Sequence, residues 1–324
     1  MSSVGVVPAQ KNGPFIGPAT FMNVPVSSDP ADSMAAILGI PFDCGTHPTR
    51  IGSRSGPASI REQSGLVRPY QPPHAKFNPL ELLNVVDCGD ADVTAGVIDQ
   101  SFETIEPAAS TILNAGAAPL AFGGDGAISL PMMRAAHMAH PELAVLHIDA
   151  HTDTYAGDGN AIHNRYNVAT TFTRAAEEKL VDLEHSFHVG ARGPVMVADV
   201  FEHTREVGYN LIDGSDLFSQ GLVPTADRLK KELRGRPVYL CFDMDFFDPS
   251  CAPGVCTPTW GGASAREGLN FLQALAGIDF VAADINTVSP PHDIGGMTAF
   301  LAGTVAIEIL TLFCQAPSIK VAMK

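Results

Sequence analysis

The chain has 324 residues, 45% of them apolar, which is ample for the core of one large α/β domain or two ordinary ones. With 20 basic against 35 acidic residues, its net charge of −15 argues against nucleic-acid and anionic-membrane partners and suits a cationic small molecule. The six cysteines (44, 88, 241, 251, 256 and 314) lack CxxC spacing and indicate reduced thiols; for Cys251 and Cys256, five apart beside the acidic cluster, packing or simple exposure is expected ahead of a bridge or a soft-metal site.

Residues 1–32 are rich in Pro, Ser and Gly and are expected to form an N-terminal arm over the body or a neighbouring subunit. No basic segment leading into an apolar stretch opens the chain, and no apolar run approaches the ~18 residues of a membrane span, so a cytoplasmic location is expected. Strand-like apolar runs then follow at about 36–42, 82–88, 118–122, 143–149, 186–190, 208–212, 237–243 and 279–285. Segments of helical period lie between most of them, including 127–140, 225–233, 264–275 and 298–313. Short buried strands alternating with helices predict one domain over 33–324: an α/β fold of three layers, α/β/α, around a mostly parallel eight-stranded sheet. Ligands collect at the carboxyl ends of strands in such sheets. Polar residues cluster at those ends: Asp43 after the first run, GGDG (123–126) after the third, DAHTD after the fourth, DMD after the seventh and DINTVSPPHD after the eighth.

Asp149, His151 and Asp153 alternate at the close of the fourth run, and Asp243 and Asp245 do so at the close of the seventh. Residues two apart in extended backbone point to one side roughly 6–7 Å apart, so ligand-type side chains face a common point. Four carboxylates and one imidazole together repel unless divalent ions neutralise them. The plainer reading takes both motifs as strand-end caps and turns; two of them, both closing buried runs, point to metal.

LGIPFD with RIGSRSGPASIR, GGDG, DAHTDTY, FDMDFFDPSCAPGVCTP and DINTVSPPHD together resemble the ureohydrolase superfamily of arginases and agmatinases, most closely its agmatinase-like branch, over about residues 36–313. The resemblance implies a two-metal site, filled by Mn²⁺ or Ni²⁺, that hydrolyses a guanidinium-type C–N bond with release of urea. It further implies that Asp149 and Asp243 bridge the metals, that His151 and Asp245 complete one site, and that Asp153 serves the other and bonds the nucleophile. His163 matches a histidine that shuttles a proton to the leaving amine, a task suited to an imidazole; as a bare residue it reads equally as a loop histidine. Trimers or hexamers are also implied. Arg192 is taken as a surface or interface residue.

Two departures from that pattern stand out. Gly126 occupies the place of a metal-binding histidine, leaving Asp149, Asp153 and Asp243 without an imidazole, a set that holds a transition metal more weakly. Thr287 occupies the place of the glutamate that grips the guanidinium, a charge-assisted interaction of roughly 1.5–3 kcal/mol. The expectation is one complete metal site and one impaired one. Three readings follow: an impaired subunit paired with an active paralogous ureohydrolase, as in heteromers of the metformin-hydrolase type; an active guanidino or biguanide hydrolase with rearranged ligands such as His163 or His292; or a non-enzymatic metal-binding protein. The missing groups favour the first over the second, and the intact Asp149, His151, Asp243 and Asp245 count against the third.

Overall fold

The computed structural model describes residues 19–45, 49–157 and 164–322. Its strands are β1 (Ala35–Gly39), β2 (Val86–Asp90), β3 (Ala118–Phe122), β4 (Ala144–Ile148), β5 (Phe187–Val189), β6 (Asn210–Ile212), β7 (Pro237–Asp243) and β8 (Asp279–Asn286). The α-helices among the described residues are α1 (Gly56–Gln63), α2 (Pro79–Leu82), α3 (Ile98–Asn114), α4 (Ser129–Ala139), α5 (Thr171–Glu177), α6 (Val200–Val207), α7 (Gly214–Gln220), α8 (Leu222–Glu232), α9 (Ala265–Ala274), α10 (Met297–Phe313) and α11 (Pro317–Ala322). All neighbouring strands run parallel, in the order β2-β1-β3-β8-β7-β4-β5-β6.

Alternation along each strand feeds two cores, one on either face of the sheet. Ala35 and Ile37 of β1, Leu146 and Ile148 of β4 and Leu240 and Phe242 of β7 pack with helices α1, α8, α9 and α10. Their neighbours Ala36, Leu38, Val145 and Tyr239 pack with α3, α4 and α5 on the other face. That is why the strands read as continuous apolar runs. Between β3 and β4 the chain leaps over β8 and β7, so a crevice opens where the strand order reverses, at the carboxyl ends of the four central strands. No helix of the described residues is long and apolar enough to cross a membrane.

One local expectation is corrected, and two others gain detail. The second strand starts at Val86, not near residue 82, because Pro79 opens a helical turn capped by the Asn78 side chain, which accepts from Leu80 N–H at 3.0 Å. The described part of the arm is anchored in the first core: Phe21 is fully buried, stacked edge-on against Phe122, and its N–H donates to Asp87 at 3.0 Å. All six cysteines are free, so Cys251 and Cys256 form no bridge.

Candidate metal centre

Strand β4 delivers Asp149 to the crevice, and the chain then turns, with Asp153 in the left-handed region at φ 50°. The turn is held by its own carboxylate: His151 N–H donates to Asp149 Oδ1 at 2.7 Å. Strand β7 is built alike, with Asp243 at its end and Asp245 N–H donating to Asp243 Oδ1 at 2.8 Å. The two strands are tied across the site by Ala150 N–H to Asp245 Oδ1 at 3.2 Å. His151 Nδ1 then stands 3.3 Å from Asp149 Oδ1 and 3.2 Å from Asp245 Oδ2. Ligands ~2.1 Å from one ion stand about 3.0–3.4 Å apart at right or tetrahedral angles, so these three donors fit a divalent cation. Thr259 Oγ1, 3.3 Å from His151 Nε2, is placed to take that N–H and so leave the Nδ1 lone pair facing the carboxylates.

Charge in this crevice is poorly compensated. Burial pushes Asp153 and Asp243 well above the usual carboxylate range, and the charge on Asp149 adds to both. Burial, with Asp149 beside it, likewise lifts Asp245 to about 6. For Asp149 itself burial acts upward too, but the imidazoles of His147 and His151 outweigh it and hold the group well below its ordinary value. Burial pulls His151 down and is outweighed by Asp245 and Asp149, so it sits well above the usual imidazole range. A metal ion would serve all four carboxylates at once.

Asp149, His151, Asp153, Asp243 and Asp245 are therefore brought together, while the opposite rim of the crevice is different. Gly126 follows β3, and a Cβ there would lie 3.4 Å from Asp153 Oδ2 and 3.3 Å from Val168 Cγ2, so the position faces the cluster with nothing to offer it. Thr287 follows β8 in the left-handed region at φ 69°, a conformation that costs a β-branched residue on the order of 1–3 kcal/mol. Its backbone is clamped by Gly124 and Cys256, and its hydroxyl donates to Asp243 Oδ1 at 2.5 Å. A cleft beside it is lined by Asp43, Arg50, Asp125, Cys256 and Thr287. Arg54 bonds both oxygens of Asp43 there, and Asp125 is pushed by burial to about 6. Of the two carboxylates on that wall, Asp43 is already paired with a cation.

His163 lies outside the described residues. His292 is no rearranged ligand: Nδ1 pairs with Ser289 Oγ at 2.8 Å and Nε2 with the Thr49 carbonyl at 3.2 Å. Arg192 is half-buried, and its guanidinium donates to the carbonyls of Asp245 and Thr259, both at 2.9 Å, tying together the loops that carry two site residues. Sequence reasoning missed His147. It is 1% exposed, two residues before Asp149, with Nε2 2.8 Å from Asp149 Oδ2. The signal was the same alternation read one step further back. His147 belongs to a buried polar row in register across four strands, Asp284, Cys241, His147 and His188, directly beneath the carboxylates.

The model of the arginase family matches residues 33–311. The guanidinopropionase of Pseudomonas aeruginosa is 36% identical over 305 residues, 93% of either chain. The mitochondrial guanidino acid hydrolase of Homo sapiens is 33% identical over 304 residues, covering 94% of this chain and 84% of that protein. Among solved structures, proclavaminate amidino hydrolase from Streptomyces clavuligerus superposes with a TM-score of 0.86 at 33% identity, covering 92% of this chain and 97% of that one.

Proposed function

The chain belongs to the arginase family, whose members are hydrolytic amidinohydrolases, and on that premise we propose that it is the metal-holding but catalytically impaired subunit of a guanidino or biguanide C–N hydrolase. Its partner in this reading is an active paralogous subunit of the metformin-hydrolase type, joined with it in a trimer or hexamer. The supporting observation is Thr287. Where a carboxylate would pair with the substrate cation, a hydroxyl donates its proton to Asp243, and Arg54 already neutralises the neighbouring Asp43. Each buried N–H of a guanidinium left without an acceptor costs about 1–3 kcal/mol, so a bound guanidinium gains no charge-assisted partner at this position.

The described residues divide the remaining work. When bound, a pair of divalent ions, Mn²⁺ or Ni²⁺, would supply Lewis acidity and an activated water. Asp149, His151 and Asp245 would hold one ion, with Asp243 beside Asp245 at the neighbouring strand end, and Asp153 would serve the other ion and orient the water. Thr259 and Arg192 fix the loops. Among the described residues, nothing near Thr287 holds the guanidinium carbon in line. Positioning is worth several orders of magnitude in rate, so little turnover is expected from this chain alone.

The test is expression of the chain alone and with its paralogous neighbour, each followed by urea-release assays on agmatine, guanidinobutyrate, guanidine and metformin, and by light scattering. The expected result is activity only in a mixed ring-like assembly. A typical rate of ~1 s⁻¹ or more from the chain alone would transfer the assignment to the second reading, an active hydrolase with rearranged ligands, which the imidazole of His147 beside Asp149 favours.

A further inference from the structure

We propose that Arg192 is a positioning residue of the metal centre: through main-chain bonds alone it fixes the segments that carry His151, Asp245 and Thr259 relative to one another, and so sets the spacing of the donors that would hold an ion. Its backbone and its guanidinium together reach all of these segments. Arg192 N–H donates to the Ala150 carbonyl, between Asp149 and His151, at 2.8 Å. Nη2 donates to the carbonyls of Asp245 and Thr259, both at 2.9 Å, and Nε to that of Trp260 at 3.4 Å. Nη1 turns back to the end of its own strand and donates to the Gly190 carbonyl at 3.3 Å. The segments so joined also meet through their side chains: Ala150 N–H donates to Asp245 Oδ1 at 3.2 Å, and Thr259 Oγ1 stands 3.3 Å from His151 Nε2.

Three observations separate this role from that of a surface cation. First, every acceptor of the guanidinium among the described residues is a main-chain carbonyl. A guanidinium is a rigid planar fork of donors, and one that directs them at carbonyls of several segments fixes backbone without neutralising an acid. Second, the chain makes room for it. A Cβ on Gly262 would collide with Arg192 Nη2. The loop there is closed on itself by Asp248 Oδ2, which accepts from Gly261 N–H at 2.9 Å and Gly262 N–H at 3.2 Å. Third, burial draws Arg192 below the ordinary guanidinium value, against the opposing influence of Asp245, Asp149, Asp248 and Asp243. A desolvated cation needs its hydrogen-bond partners, so the carbonyls cannot drift from it without cost.

The sign of the effect on ion binding distinguishes positioning from mere proximity. A cation that only stood near the site would repel an incoming divalent ion, and its removal would tighten binding. A cation that holds the donors in place makes binding weaker when it is lost, by the roughly 10–100-fold typical of groups that orient ligands from outside the coordination sphere.

The inference rests on the metal-holding part of the proposed function and is independent of turnover. The full chain is stripped with chelator and titrated with Mn²⁺, the free ion being followed by electron paramagnetic resonance, beside Arg192→Ala and Arg192→Lys. The unmodified chain is expected to bind Mn²⁺, and Arg192→Ala to bind its tightest ion about 10–100-fold more weakly. Arg192→Lys should recover only part of that loss, because an ammonium cannot span the same carbonyls. Free guanidinium at millimolar concentration should rescue Arg192→Ala by refilling the cage of carbonyls, whereas urea, a neutral molecule of similar shape, should not. Unchanged or tighter Mn²⁺ binding by a folded Arg192→Ala would overturn the assignment, as would equal effects of urea and guanidinium. If Arg192→Ala does not fold, Arg192→Lys decides: a partial loss of affinity supports the assignment and unchanged affinity overturns it. No Mn²⁺ on the unmodified chain would overturn the metal-holding reading itself, and this assignment with it.

Discussion

The two rims of the crevice have been treated differently. On the β4–β7 rim every donor is fixed by its own turn: His151 N–H bonds Asp149, Asp245 N–H bonds Asp243, and Ala150 N–H links the two strands. On the β3–β8 rim the backbone is equally well held, with Gly123 N–H bonded to the Ile285 carbonyl and Thr287 N–H to that of Gly124, but the side chains at 126 and 287 carry no ligand and no charge. Holding metal and gripping a cationic substrate are thus separable properties of one fold. In the proposed reading the chain keeps the first through strand-end geometry and lacks the second through one side chain, Thr287.

The sharpest break of this contrast is Asp149→Asn. Because Asp149 is the carboxylate common to both donor sets, the change should abolish binding of both ions, lowering affinity by more than about 100-fold by elemental analysis after dialysis. Retention of either ion would show that the two sets do not share it. Next in size is the reverse experiment on the other rim. In metal-replete protein, Thr287→Glu should raise urea release from guanidino substrates by roughly 10- to 100-fold, the equivalent of a charge-assisted bond. Adding Gly126→His should help chiefly at limiting metal, seen as positive coupling in a cycle of the four variants. If Gly126→His alone restores more turnover than Thr287→Glu, the substrate grip is not what was lost.

Smaller effects sharpen the β4–β7 side. Thr259→Val removes the partner of His151 Nε2 and should weaken one ion about tenfold, leaving the fold intact by circular dichroism. The last test is pH. In metal-free protein Asp245 is raised to about 6, and Asp153 and Asp243 lie further above their unfolded values. Groups raised in the folded state contribute stability that is complete below the unfolded value and is lost as pH rises through the folded one. His151, also raised, acts in the same direction. Asp149 is lowered, so its contribution is already complete above about pH 4. Chelated protein should therefore melt a few degrees lower at pH 8 than at pH 5, a slope that bound metal should flatten. A Tm of metal-free protein that rises over this interval would contradict the charge balance described for the crevice.

Most of the fold is legible in the sequence because parallel strands covered on both faces are written as apolar runs, and seven of the eight runs coincide with strands to within a few residues. The exception, β2, is blurred because Leu82, Leu83, Val85 and Val86 read as one run, while Asn78 and Pro79 turn the chain up to Leu82 into helix. Helix α1 hides in a stretch rich in Gly, Ser and Pro whose conformation is fixed by contact, not propensity: Gly56 lies so close to the Val288 carbonyl that a Cβ would sit at 2.8 Å from it. In the site, ligands that end strands announce themselves by alternation. His147 shares that alternation two residues before Asp149, but inside an apolar strand it reads as core until register sets it beside His188 and Cys241.

The measurement that bears most directly on the separation of metal holding from substrate grip is a calorimetric titration of the metal-replete chain with guanidinobutyrate, run beside Thr287→Glu at equal metal occupancy. The expected result is full metal occupancy in both proteins, no binding heat from the unmodified chain at millimolar ligand, and saturable binding by Thr287→Glu. Equal affinity of the two proteins for the guanidino ligand would contradict it, since Thr287 would then have cost the site nothing.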